Sequence, residues 1–527
     1  MSVRLPDAFA ERMRRLLEGE AGDFLASYGQ PRALGLRVNT LKIDVGRFLA
    51  ISPFSLEKIP WAEDGFYYGD SDRPGKHPYY QAGLYYIQEP SAMAPVELLR
   101  VEPGDRVLDL CAAPGGKSTQ IAARLKGKGL LVANDFKADR VKALVKNLAL
   151  AGVRNAVVTN ASPEELIAPF RGYFDKILID APCSGEGMFR KDEEAAGSWA
   201  IHSSRSLMPV QRALLDAAAL LLRPGGRIVY STCTFAPEEN EAAIARFLDD
   251  HPDFSVEPAP LQHGFAPGRP DWIGGAKWSG EETFSPASVA AVAGTARLWP
   301  HRLRGEGHFV AALIRSGRAA ETSGEKAGPC AGKAGLDKNA ASGGSDGWIG
   351  AGPASGRRAA AGSTGGKAGR GRRPSERSLR TEDLSPWFSF MAENLTSPID
   401  GRWLLHGNAL YWTLWDLPDL SGIAVARPGW FVGTLARNRF VPSQALAMGL
   451  EGRDALRRVD FSPESGEVAR YLKGETLQIG EERILRASSG VPARGYCLVC
   501  VDGFPLGWGK WLDGMLKNEY PPGWRWT

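Results

Sequence analysis

From residue 104 the chain alternates short apolar runs with amphipathic stretches, joined by loops of Gly, Pro and Asp. Arg106-Val-Leu-Asp-Leu110 reads as a strand and enters Cys111-Ala-Ala-Pro-Gly-Gly-Lys117, a tight loop of small residues. A helix is predicted over Ser118 to Leu125. Gly129 to Asn134 is a second strand with Asp135 at its carboxyl end, and Lys137 to Leu150 a helix. Ala156 to Thr159 and Asp175 to Asp180 are the third and fourth strands. A helix over Ser206 to Leu222, stopped by Pro224-Gly-Gly226, leads to a strand over Arg227 to Ser231. The next helix is predicted from Pro237 to Asp249, with Glu238 and Glu239 at its positive end, and His308 to Ile314 is a late strand. Continuous apolar strands alternating with helices predict a parallel sheet covered on both faces.

The flanks have other rhythms. In Pro6 to Glu18 the residues Phe9, Met13, Leu16 and Leu17 fall near one helical face. Leu34 to Lys42 alternates as a strand with Arg37 and Lys42 offered to solvent or to phosphate. His77 to Ser91 is dense in aromatics, which either line a base-stacking groove or pack between domains. A small α+β domain is expected over residues 1–75 and the α/β domain over 76–315. Residues 316–380 are Gly, Ala, Ser, Lys and Arg with almost no large aliphatics, so burial cannot offset ordering entropy there. They read as a flexible tether, with 12 Lys and Arg against 5 Asp and Glu. Residues 381–527 carry many Trp residues and short strand-like runs, which predicts a small β-rich domain. There Cys497 and Cys500 read as core-strand residues, since a zinc site needs a second pair. In the tail, Trp508 to Trp526 interleaves aromatics with Lys510, Lys517 and Arg525, a pattern that suits single-stranded RNA or, alternatively, buried Trp.

Composition adds limits. A chain of 527 residues allows about three domains, and the net charge of +4 permits a nucleic-acid partner without demanding one. Six scattered cysteines do not make a disulfide framework. The N-terminus has no signal-peptide apolar core, and no apolar run reaches the roughly 18 residues of a membrane span. A cytoplasmic protein with no membrane and no metal is expected; the sequence is silent on oligomeric state.

Three stretches carry chemistry. The first loop is neither Gly-x-Gly-x-x-Gly nor a phosphate loop, but its small residues let a ligand approach the backbone. Asp135 follows about 20 residues later, where an acid binds a ribose diol. A ribose without a phosphate requirement points to S-adenosyl-L-methionine. Cys233 closes the strand Arg227 to Ser231 within Thr232-Cys-Thr234, at the sheet end where α/β proteins place their chemistry. It is a thiolate nucleophile or a small buried cysteine. Asp180-Ala-Pro-Cys183 ends the neighbouring strand, so a carboxylate and two thiols face one crevice. Carbon 5 of cytosine is a poor nucleophile until a thiolate adds to carbon 6. A carboxyl near N3 and the exocyclic amine would stabilise such an adduct, and the base must be unpaired or flipped out.

These motifs, Asp109 to Ser118, Asp180-Ala-Pro-Cys-Ser-Gly-Glu-Gly187 and Tyr230-Ser-Thr-Cys-Thr-Phe235 with Glu238-Glu-Asn240, resemble the Sun-type RNA (cytosine-5-)methyltransferase family. The tail Asn518 to Trp526 is similar to the PUA-like RNA-binding module of its RsmF/YebU-like ribosomal RNA subgroup. The resemblance implies a Rossmann-like S-adenosylmethionine-dependent methyltransferase domain between an N-terminal RNA-binding domain and a β-rich PUA-like domain. It implies that Cys111, Ala112, Ala113, Pro114, Gly115, Gly116 and Lys117 cradle the cofactor and that Asp135 holds its ribose. Asp180 would lie beside the methionine part and the target base. Cys233 would be the nucleophile, and Cys183 would assist release of the product. The family's adenine-contacting Asp is missing; Asn160 and Ser162 stand near its place. The implied substrate is small-subunit (16S) ribosomal RNA, naked or in a 30S particle. Transfer RNA is the alternative substrate, and a non-catalytic RNA-binding assembly factor the alternative class.

Overall fold

The computed structural model describes residues 4–191, 196–197, 199, 204–274, 282–317, 381–413, 417–437 and 439–526. The expected tether therefore lies, from residue 318 onward, outside the described residues, as does Cys330.

A ten-stranded sheet forms the centre. Its strands are β1 (Arg106–Asp109), β2 (Leu130–Asn134), β3 (Ala156–Thr159), β4 (Phe174–Asp180) and β5 (Leu222–Thr232), then β6 (Phe254–Glu257), β7 (Phe265–Pro267), β8 (Ala296–Leu298), β9 (His308–Arg315) and β10 (Val425–Arg427). The order is β7-β8-β9-β5-β4-β1-β2-β3-β10, with β6 also paired to β9. Strands β1 to β5 are mutually parallel, whereas β9 runs antiparallel to β5 and β10 antiparallel to β3. The expected parallel sheet is thus its five-strand centre, and the edges are antiparallel. Every residue of β2 and β3 is buried, as strands covered on both faces require. The covering helices include α3 (Gly116–Leu125), α4 (Ala138–Leu150), α5 (Pro163–Phe170), α6 (Ser204–Leu221) and α7 (Glu241–Asp250), taken in chain order after the N-terminal pair α1 (Asp7–Leu17) and α2 (Ala21–Ser27).

Helix α7 starts four residues later than Pro237. The turn Pro237 to Asn240 does different work: Asn240 accepts from Thr232 Oγ at 2.7 Å and donates to the Thr234 carbonyl at 2.9 Å. Glu239 turns inward toward Ser184. The motif side chains brace the Cys233 loop from inside instead of capping the helix.

The N-terminal sheet pairs Leu56–Lys58, Gly65–Tyr68, Gly35–Val38 and Tyr85–Ile87 in that order. Arg37 is not offered to solvent: it is 1% exposed and donates to Gln88, to the Gly116 carbonyl and to Thr119 Oγ1. Lys42 likewise folds back onto the Ala82 carbonyl at 2.7 Å. Both bind this sheet to its neighbours. The aromatics of 77–91 act in packing. Tyr79 and Tyr85 share a core with Val459, Tyr471 and Trp511 of the C-terminal part, and Tyr79 donates its hydroxyl to Asp502.

The C-terminal part holds a four-stranded and a six-stranded sheet. Cys497 and Cys500 are fully buried strand residues. Trp508 and Trp511 are buried too, each donating its indole N–H to a backbone carbonyl, while Lys510 and Lys517 stay exposed on adjacent strands. Strand β10 belongs to this part of the chain and is the one that joins the central sheet.

Candidate active site

The loop after β1 is held from below. Ala112 N–H donates to the Asn134 carbonyl at 2.8 Å, and Asn147 donates to the Pro114 carbonyl at 2.8 Å. Gly115 has φ of 113°, and a Cβ there would meet Leu144 Cδ1 at 3.2 Å, so the residue must be glycine. Asp109 beneath the loop is fully buried and accepts from Ser118 Oγ at 2.6 Å, while its other oxygen has no partner among the described residues. Burial pushes its carboxyl up to about 7. Asp135 accepts the N–H of Ala113 at 3.1 Å and of Lys137 at 2.9 Å, which fixes a carboxylate at the β2 end with lone pairs to spare. Next to it the Phe136 ring is 72% exposed. Small loop residues, a fixed carboxylate and an open apolar ring fit an adenosine moiety. Of the two residues near the missing acid's place, Asn160 is fixed by its amide N–H groups with Oδ1 left as an acceptor, whereas Ser162 is taken up in a helix cap. Asn160 donates to the carbonyls of Asp135 and Phe136, and Ser162 caps α5 in a capping box with Glu165.

At the carboxyl ends of β4 and β5 the structure brings the remaining expected residues together. Lys117 Nζ donates to Asp180 Oδ2 at 2.7 Å, and Ser231 Oγ to Asp180 Oδ1 at 2.9 Å. Burial alone would raise the Asp180 carboxyl, but the Lys117 ammonium and the hydrogen bonds from Lys117 and Ser231 hold it below the ordinary carboxylate range. Cys183 Sγ lies 3.4 Å from Cys233 Sγ. The bond to Cys233, together with burial, holds the Cys183 thiol well above its ordinary value. Two thiols this close do not ionise together, so the protonated Cys183 can donate to a Cys233 thiolate.

Two buried acids lock the thiol loops. Glu239 accepts from the Ser184 N–H and hydroxyl and from Gln211, tying the Pro-Cys loop to the Thr-Cys loop. Glu186 accepts the Phe235 N–H at 2.8 Å and the Trp199 indole at 3.0 Å, and pairs with Arg12 of α1. Gly187 donates to the Cys233 carbonyl at 2.8 Å, and a Cβ there would come within 3.0 Å of it. Phe9 and Phe24 of the N-terminal helices pack with Phe189 and Phe235 in one aromatic cluster. The N-terminal helices are therefore a wall of this site.

Sequence reasoning missed Phe136, Ser231, Glu186, Glu239, Arg12 and His308. Ser231, Glu186 and Glu239 lay inside quoted motifs, Ser231 as a polar residue at a strand end and Glu239 read there only as a helix-start acid. Arg12 was not legible, because its partner is 174 residues away. The five described cysteines are all free thiols, and no group of His, Cys, Asp and Glu among the described residues is arranged to hold a metal. No helix among them is long and apolar enough to cross a membrane.

Five parallel strands in the order 3-2-1-4-5, with an antiparallel strand beside the fifth and an acid after the second, make this a Rossmann-like S-adenosylmethionine-dependent methyltransferase fold. A solved methyltransferase homologue from Pyrococcus horikoshii matches at 31% identity and a TM-score of 0.51, over 59% of this chain and 96% of that one. Four family models then match in chain order: the RsmF N-terminal domain at 5–90, 16S rRNA methyltransferase RsmB/F at 96–314, the RsmF first C-terminal domain at 389–450 and the RsmF PUA domain at 458–526. The chain belongs to the RsmB/F methyltransferase family, in its RsmF branch. Similar proteins include ribosomal RNA small subunit methyltransferase F of Escherichia fergusonii, 43% identical over 271 residues, and that of Citrobacter koseri, 42% identical. Each match covers 49% of this chain and 56% of the relative, so the chain spans about half the length of those curated relatives.

Proposed function

We propose that the protein methylates carbon 5 of a cytosine in small-subunit (16S) ribosomal RNA, in the cytoplasm, with S-adenosylmethionine as methyl donor. The observation that carries this reading is the Cys183–Cys233 pair at 3.4 Å, set beside a lysine-held Asp180. Cys111 to Lys117 and Asp135 are the residues that would hold the cofactor, with Phe136 as an added face for its adenine. The cofactor supplies an electrophilic methyl group. Cys233 adds as thiolate to carbon 6, which turns carbon 5 into an enamine-like nucleophile. Asp180, held ionised by Lys117, accepts from the exocyclic amine and orients the ring. After carbon 5 is methylated and loses its proton to a base, the carbon–sulfur bond breaks and Cys233 leaves as thiolate. Cys183, kept protonated, donates to the departing sulfur. The domains at 1–75 and 381–527 are read as RNA-binding arms on either side of the catalytic domain at 76–315. The exposed Lys510 and Lys517 supply phosphate contacts.

Bisulfite sequencing of total RNA from cells with and without the gene tests the reading. Loss of one protected cytosine in 16S RNA is expected. A change confined to transfer RNA would overturn the substrate and keep the chemistry. No change in any RNA would overturn the activity.

A further inference from the structure

His308 opens β9, is 6% exposed, and enters the sheet beside the Thr232–Cys233 end of β5, since the register pairs Phe309 with Thr232. Its Nδ1 lies 2.8 Å from the Gly307 carbonyl. A carbonyl only accepts, and the other neighbour of Nδ1, Ser91 Oγ at 3.4 Å, gives its hydrogen to Glu89, so Nδ1 carries the hydrogen and Nε2 presents a lone pair. Burial, with the Lys117 ammonium adding to it, lowers the His308 pKa despite Asp180 and Glu89, which keeps the ring in this neutral form. Nε2 has no hydrogen-bond partner among the described residues. It points at Asp180 Oδ1 across 3.9 Å, beyond hydrogen-bond reach. Asp180 Oδ2 is engaged by Lys117, and Oδ1 by Ser231 on one lone pair only. A buried acceptor and a half-exposed one thus lie 3.9 Å apart at the carboxyl end of the sheet, with no donor between them among the described residues. A donor with two hydrogens on one nitrogen satisfies both, whereas a carbonyl there would be repelled by both.

We propose that His308 is a specificity-determining residue whose Nε2, together with Asp180 Oδ1, receives the two hydrogens of the target cytosine's exocyclic amine. This rests on the cytosine methyltransferase reading and deepens it. Uracil carries an oxygen at that position and presents an acceptor to two acceptors. Discrimination of this kind is strong, because the wrong base leaves buried polar groups unpaired.

The test crosses a protein change with a substrate change. Single-turnover methyl incorporation is measured for the full chain, His308→Phe and His308→Gln, on RNA bearing either cytosine or pyrimidin-2-one, which lacks the amine, at the target position. In the unaltered protein cytosine is favoured. In His308→Phe the cytosine-to-pyrimidinone ratio should fall about tenfold, the scale of one lost hydrogen bond to a buried acceptor. His308→Gln keeps an acceptor near the Nε2 position and should return the ratio to within about threefold of the original. An unchanged ratio in His308→Phe would overturn the assignment. If that ratio is unchanged and S-adenosylmethionine binding weakens instead, the gap belongs to the cofactor's α-ammonium, which also overturns it. Should His308→Phe not fold, His308→Asn withdraws the Nε2 acceptor and carries the same expectation. Absence of cytosine methylation by the unaltered protein would be a failure of the underlying reading, and is distinct from these results.

Discussion

Arg297 of β8 is 1% exposed and Glu241, the first residue of α7, is fully buried. The guanidinium bridges both carboxylate oxygens at 2.6 and 2.5 Å, and donates a third bond to the Phe235 carbonyl at 3.1 Å. Its cation lies 4.5 Å from the ring centre of Trp272 and 5.1 Å from that of Trp299. Arg297→Met keeps most of the volume but leaves Glu241 as a buried carboxylate whose remaining partner among the described residues is the Arg269 N–H at 3.0 Å. Breaking a buried pair from one side costs about 3–5 kcal/mol, and the lost ring contacts add roughly 0.5–2 kcal/mol, part of which methionine recovers. The expected loss is therefore about 4 kcal/mol. Removing both charges in Arg297→Met/Glu241→Leu should cost far less, about 1–3 kcal/mol, mainly for the orphaned Arg269 N–H. Denaturant unfolding of the four proteins of this cycle measures the coupling. If Arg297→Met alone costs less than about 1 kcal/mol, or the double variant is as unstable as the sum of the singles, the two buried charges are not coupled and the reasoning fails.

Cys233→Ala should abolish methylation with cofactor binding retained, as isothermal titration would show. Cys183→Ala should accumulate a covalent RNA adduct, seen as a shifted band on a denaturing gel. Asp109 gives a pH signature. Its folded pKa is raised to about 7 from an unfolded value near 4, so folded protein keeps a proton that the unfolded chain releases. Stability from this group is full below about pH 4, falls as pH rises toward about 7, and is level above that. Asp109→Asn should therefore raise the melting temperature at pH 8, by at most roughly 4 kcal/mol in stability, and change little at pH 4. An equal effect at both pH values would refute the burial argument.

The parallel centre was readable because buried strands and covering helices write their own period into the sequence: Ala156–Thr159 has the predicted bounds, and β1, β2 and β4 are within one residue at each end. What failed was tertiary. Arg37 sits on an alternating strand as a solvent residue would, yet it bridges to α3, 79 positions away at Gly116. Pro237-Glu-Glu looked like a helix start by local chemistry, but the loop around Cys233 needed Glu239 and Asn240 more than α7 needed a cap. The site followed the same division. Cys183, Cys233, Asp180 and the small-residue loop announce themselves through motifs, while His308 and Arg12 gain meaning only from partners brought in by the fold.

Strand β10 closes the β3 edge: Asn160 N–H donates to the Ala424 carbonyl at 2.8 Å, and the buried Arg427 reaches the Val153 carbonyl at 2.7 Å. In time, this edge is closed late. The ribosome must add the 266 residues from Thr159 to Val425 before the partner strand exists. At about 5–20 residues per second that takes roughly 15 to 50 seconds. For that interval the nascent methyltransferase sheet shows a four-residue row of unpaired backbone groups, the kind of edge on which strands of other chains assemble. A strand from the C-terminal part is thus also the guard of the central sheet, and a ribosome that stops before β10 releases that sheet with a sticky flank.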